Sequence, residues 1–189
     1  MTARALAAEA LGTALLVATV IGSGIMAERL SGGSAGLALL ANTLATGAIL
    51  VVLITTLGPL SGAHFNPFVS LVMATRRALP WSGLAPYVAV QIAGGACGAV
   101  LANLMFDLAP VTLADTARGG TGQFLSEAVA TFALIGAILG GLAFARQAIP
   151  WLVGLTITAA YWFTASTSFA NPAVTLARTL SDSFAGIAP

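Results

Sequence analysis

The length of its uncharged runs constrains this chain more than any other feature. No Asp, Glu, Lys or Arg occurs from Leu30 to Thr75, from Ala78 to Phe106, from Ala128 to Ala145 or from Gln147 to Ala177. A helix crosses a bilayer with about 20 apolar residues, so the two longest runs each exceed one span. With 58% hydrophobic residues, 7% charged residues and a mean hydropathy of +0.98, the chain is far from the roughly 25% charged content of a soluble domain. It reads as an integral membrane protein. Backbone groups in lipid must bond within their own segment, and no alternating barrel pattern is present, so the spans are helices. The net charge is +1, lysine is absent, and no basic stripe could hold a phosphate backbone, which excludes nucleic acid as a partner.

Five full spans can be drawn, roughly Leu6 to Ala27, Leu37 to Leu57, Leu84 to Phe106, Phe124 to Phe144 and Ile149 to Phe163. The first run is long and leads into no polar mature domain after a cleavage site, so it reads as an uncleaved span rather than a signal peptide. Glycines at helical spacing, Gly94, Gly95 and Gly98 or Gly136, Gly140 and Gly141, let helix backbones approach closely in lipid. The single cysteine, Cys97, excludes an internal disulfide and a CxxC site. It is expected to be a small buried packing residue.

Two stretches fit no span: "SGAHFNPFVSL", Ser61 to Leu71, and "SFANPAVTL", Ser168 to Leu176. From Pro67 to Arg76 is about ten residues, a helical rise of about 15 Å, half of a hydrocarbon core about 30 Å thick. The same length recurs after Pro172. The expectation is two re-entrant half-helices, over residues 67–76 and 172–180, starting near the membrane midplane. Glu9 in "AEALGTALL" matches Glu127 in "SEAVATFAL", and Asn66 matches Asn171, so a unit of span, span, half-helix, span repeats. Three spans per unit force the second copy in upside down, a recurring design for moving solutes. The divisions are a first repeat over 1–107, a connector over 108–122 and a truncated second repeat over 123–189.

Proline suits the first turn of a helix, where its missing N–H is no loss, and asparagine before it is a preferred cap. The cap uses the side-chain oxygen and leaves the amide NH2 free to donate. Two caps pointing at each other, each beside a helix N-terminus carrying about half a positive charge, would welcome water or a neutral hydroxylic solute and repel cations and protons. The chain before each cap, Ser61 to Phe65 and Ser166 to Ala170, cannot be helical up to the proline. Irregular backbone at that depth must be buried or line a water-filled cavity, so its carbonyls are expected to form an acceptor ladder.

These residues, with the paired "EALGT" and "EAVAT" stretches and Gln91 in "YVAVQIAGG", closely resemble the major intrinsic proteins, the aquaporin and aquaglyceroporin family, over essentially the whole chain. The resemblance implies an all-α bundle of spans around two half-helices, one pore per subunit, a homotetramer, and a multi-pass place in a bacterial-type inner membrane with a cytoplasmic N-terminus. It puts the pore signature on Asn66, Pro67 and Phe68 and on Asn171, Pro172 and Ala173. It puts the selectivity filter on Thr46, Ser168, Val174 and either Ala159 or Tyr161, because the loop before Asn171 looks about two residues short. Gly62, Ala63, His64, Thr167 and Phe169 would line the pore loops. Glu9 and Glu127 would pin those loops by accepting their N–H groups, whereas a proton relay is the sharper alternative for acids inside a span.

The chain departs from the family pattern at Val174, where an Arg usually narrows the pore, and at Phe68, where a small residue is usual. A small, neutral filter resembles the bacterial branch associated with arsenic resistance, which implies a passive channel for water and polyols, with arsenite or methylated metalloid acids as further candidates. "SDSFAGIAP" stands where the family leads into a sixth span, and two readings stay open: a fragment or trimmed chain, or a short form that a neighbour must close. A coupled transporter is disfavoured because no ionisable group beyond the Glu pair lies near the midplane. No Ser-His-Asp set, metal cluster or phosphate loop occurs, and His64 is the only histidine, so no enzyme activity, metal or cofactor is expected. A titrating gate at His64 is the remaining sharp reading. Asp107, Asp115 and Arg118 read as a solvated connector. The arginines fall four to three toward the N-terminal side, Arg4, Arg76, Arg77 and Arg146 against Arg29, Arg118 and Arg178, a weak orientation signal.

Overall fold

The computed structural model describes residues 2–189. Seven α-helices follow one another: α1 (Ala3–Leu30), α2 (Ala35–Ser61), α3 (Pro67–Thr75), α4 (Trp81–Met105), α5 (Thr121–Phe144), α6 (Ile149–Phe163) and α7 (Pro172–Arg178). Four of them, α1, α2, α4 and α5, are long and apolar enough to cross a membrane. The fifth expected span, α6, has 15 residues, a rise of about 22 Å. The four long spans start a few residues before the expected limits, α1 and α2 at polar caps. Thr2 Oγ1 accepts from the Ala5 N–H at 3.2 Å, and Ser34 Oγ from that of Leu37 at 3.4 Å.

The two half-helices begin at Pro67 and Pro172, each capped by the preceding asparagine. They end slightly earlier than expected, at Thr75 and Arg178. α1 packs along α4 and α2, α2 along α6, and α7 against α4. The α1–α4 seam is backbone on backbone. A Cβ on Gly94 or Gly98 would collide with the carbonyls of Ala10 and Ala14. Only glycine permits that approach.

α5 is different, because among the long helices its packing falls mainly on α6. Only 17% of its apolar window is buried, against 61% for α1. Phe124, Phe132 and Phe144 stand out from it, and a Cβ on Gly136 or Gly140 would meet nothing within 4 Å among the described residues. Cys97 is exposed on α4, contrary to the expected burial. It lies beside the Gly94–Gly98 seam in sequence but outside it in space.

The segment after α7 folds back on the connector. Thr112 and Ala114 donate to the carbonyls of Leu180 and Thr179 at 3.1 Å, and Ala188 donates to Thr116 at 2.9 Å. Asn103, at the end of α4, ties both segments of this pairing through the carbonyls of Pro110 and Leu180 and through the Ser181 hydroxyl.

Candidate functional site

Each irregular loop ahead of a half-helix is held by one carboxylate. Glu9, fully buried on α1, accepts from the N–H groups of His64 and Phe65 at 2.9 and 2.7 Å, from the Ser61 hydroxyl at 2.6 Å and from the Gln91 amide at 2.8 Å. Glu127 on α5 accepts from the N–H groups of Phe169 and Ala170 at 2.9 and 2.7 Å. These bonds hold a backbone that side chains disfavour. Ala63 and Phe65 in one loop, and Ser168 and Ala170 in the other, have φ between 43° and 54°. The four positions correspond, being the third and the first residue before each Asn. The Phe65 ring fits because α1 offers Gly12 opposite it, where a Cβ would strike the ring.

The asparagines cap their helices and also bond across to the other loop. Asn66 Oδ1 accepts from the Phe68 N–H at 2.9 Å, and Asn171 Oδ1 from those of Ala173 and Val174 at 3.1 and 3.4 Å. The amides are not left wholly free, as the sequence suggested. Asn66 Nδ2 donates to the Ala170 carbonyl at 2.7 Å, and Asn171 Nδ2 donates to the Phe65 carbonyl at 2.8 Å. Each amide therefore keeps one N–H for a solute. The carbonyl next to each Asn serves the opposite cap.

A cavity of about 420 Å³ runs past both asparagines. Its wall includes Thr46, Gly62, Ala63, His64, Tyr161, Ser168, Phe169, Val174 and an apolar lining from α1, α2, α5 and α6. Tyr161 borders it, with its hydroxyl 3.3 Å from Thr46 Oγ1, while Ala159 faces outward. The Ser168 hydroxyl is buried without a partner among the described residues. Phe68 does not border the cavity; it is 40% exposed on the flank of α3. Ala173, its counterpart, is fully buried against Gly95 of α4. Toward the α3 end, His64 Nδ1 lies 3.0 Å from Ser70 Oγ, which accepts from Gln91, and its ring stands 5.4 Å from that of Tyr87.

Sequence reasoning missed two arginines. Arg118 is no solvated connector residue; its Nε and Nη2 donate to the carbonyls of Gly186 and Phe184 at 3.0 Å. Burial holds its guanidinium below the usual arginine range. Arg178 is 3% exposed and borders the cavity. Its position four residues after Val174, on the same helical face, is a signal the sequence carried.

Residues 1–147 match the family model described as Major intrinsic protein. The chain belongs to the major intrinsic protein family. Its relatives in that family include the aquaglyceroporin AqpS of Rhizobium meliloti (strain 1021), 63% identical over 182 residues, which are 96% of this chain and 78% of the relative. Aquaporin NIP1-3 of Oryza sativa subsp. japonica is 34% identical over 60% of this chain and 40% of its own length. The glycerol uptake facilitator protein of Streptococcus pneumoniae is 29% identical over 67% and 59%. The matched region is thus less than two thirds of those two relatives.

Membership makes this a multi-pass membrane protein of a family of channels, not an enzyme. Within the major intrinsic protein pattern, the wall combines two amide donors, backbone carbonyls, hydroxyls and apolar side chains, and among the described residues no Asp or Glu lines it. Such a lining can replace part of a neutral solute's hydration shell without offering a counter-charge to a cation.

Proposed function

We propose that this chain forms a passive channel for small uncharged solutes, of which glycerol-like polyols are the leading class. The supporting observation is the cavity that passes both cross-bonded Asn caps, with neutral donors and acceptors at the caps and a mainly apolar wall around them. The kinship with an aquaglyceroporin and a glycerol uptake facilitator points to the same solutes. Val174 in place of an arginine widens the range toward undissociated metalloid acids such as arsenite. Thr46, Tyr161, Ser168 and Val174 set the bore, and Glu9 and Glu127 pin the loops rather than relay protons. In this proposal residues 1–107 and 123–189 are inverted repeats joined by 108–122, four copies assemble in a bacterial inner membrane, and the N-terminus is cytoplasmic.

Solute uptake into proteoliposomes tests the reading. Glycerol and arsenite should enter down their gradients without saturation or ion dependence, and water flow alone would refute it. Val174→Arg should reduce glycerol entry while sparing water, and unchanged glycerol entry would remove Val174 from the constriction. A second reading, a channel that conducts only when another helix covers α5, is favoured by the bare face of that helix. Flux from the isolated chain would exclude it.

A further inference from the structure

Two positive charges, Arg178 on the wall of the cavity and Arg118 on that of a neighbouring one, have no role that solute passage alone explains. Arg178 borders both the main cavity and a second cavity of about 230 Å³, which Arg118, Asn42, Thr167 and Ala185 also line. Its Nε donates to the Ala185 carbonyl. Its two terminal nitrogens make no hydrogen bond to any described residue, and the side chain lies on the wall of both cavities. Arg118 holds two carbonyls and reaches Thr167 Oγ1 at 3.5 Å. The guanidinium carbons of Arg178 and Arg118 lie 4.8 and 6.0 Å from the centroid of the same ring, that of Phe169. Neither arginine donates to a carboxylate among the described residues.

Bracing the segment after α7 requires only donors to three carbonyls, which neutral groups could supply with less desolvation. Two charges to which no carboxylate is hydrogen-bonded among the described residues add something bracing does not need, a positive field focused at a low-dielectric mouth. We propose that Arg178, seconded by Arg118, is the charge filter of this channel. The guanidinium that the family pattern places at position 174 acts here from one turn further along α7, about 6 Å away. Val174, Thr46, Ser168 and Tyr161 are then left to set the bore, so selection by size and selection by charge occupy separate levels. The ligand class is oxygen-bearing neutral solutes, which accept from the free guanidinium N–H groups. The excluded class is inorganic cations.

This inference rests on the channel reading, and the experiment separates the two. Sodium and glycerol permeabilities are measured in the same proteoliposomes for wild type, Arg178→Met, Arg178→Lys and Arg118→Met. The wild type should pass glycerol and retain sodium. Arg178→Met should raise the sodium-to-glycerol ratio by about tenfold or more, with a smaller rise for Arg118→Met. Arg178→Lys, which keeps the charge, should stay near wild type. Neutral variants as sodium-tight as wild type would overturn the inference, because the half-helix N-termini would then exclude cations alone. A leaky wild type, or a lysine variant as leaky as the methionine variant, would overturn it too. If Arg178→Met does not insert, Arg118→Met decides: a rise supports the filter and no change refutes it. Absence of wild-type glycerol flux would sink the channel reading and this inference together.

Discussion

Glu9 and Glu127 occupy matching places in the sequence but carry unequal burdens. Glu9 satisfies two N–H groups, a hydroxyl and an amide in full burial, while Glu127 satisfies two N–H groups on a half-covered helix. Removing an acceptor strands each buried N–H at about 1–3 kcal/mol. Glu9→Ala should therefore lower stability in detergent by about 2–6 kcal/mol and Glu127→Ala by less, as read from denaturant unfolding. Equal losses would contradict the difference in burial. Phe68→Ala should leave glycerol flux unchanged, because the ring lies outside the cavity; a marked rise in flux would place the ring in the path. Caps and prolines are legible in sequence because their chemistry is local. The choice of Tyr161 over Ala159 is not, because it depends on how α6 rotates against α2. Arg118 escapes sequence reasoning for a similar reason. Its partners, Phe184 and Gly186, lie 66 and 68 residues away.

Helices are the most legible elements here, since an uncharged run in lipid has no other way to satisfy its backbone. Glycine spacing marks α4 as a helix built for close approach, yet spacing does not say which glycines meet a partner. Gly94 and Gly98 do, and Gly136 and Gly140 do not. Gly98→Leu should push α1 from α4 and cost at least the 1–3 kcal/mol typical of overpacking, about the same for Gly94→Leu, whereas Gly140→Leu should be near neutral in the isolated chain. Thermal unfolding of the three variants in one detergent makes the comparison. A neutral Gly98→Leu would mean the seam can open. The backbone polar groups of the segment after α7 pair with the connector, which no local pattern in either stretch announces.

Across the whole molecule, burial is uneven: α1 is enclosed on several sides and α5 is enclosed on one. Hydrogen exchange in micelles should show α5 opening at the lowest free energy of the four long helices, and protection equal to that of α1 would show that another surface covers it. The membrane class and the family are legible from the runs and the two Asn-Pro stretches; the uneven burial is not, because it reflects which helix finds a neighbour. The crossed asparagine bonds carry a consequence in time. Asn66 donates to a carbonyl 104 residues later in the chain, and Phe65 accepts from a residue 106 later. At a synthesis rate of about 5–20 residues per second, the first loop waits some seconds for partners that have not yet been made. The newborn N-terminal half must keep that loop near water or a helper until its partners arrive, so the crossed asparagine pair closes late in biogenesis, after most of the surrounding helices are made.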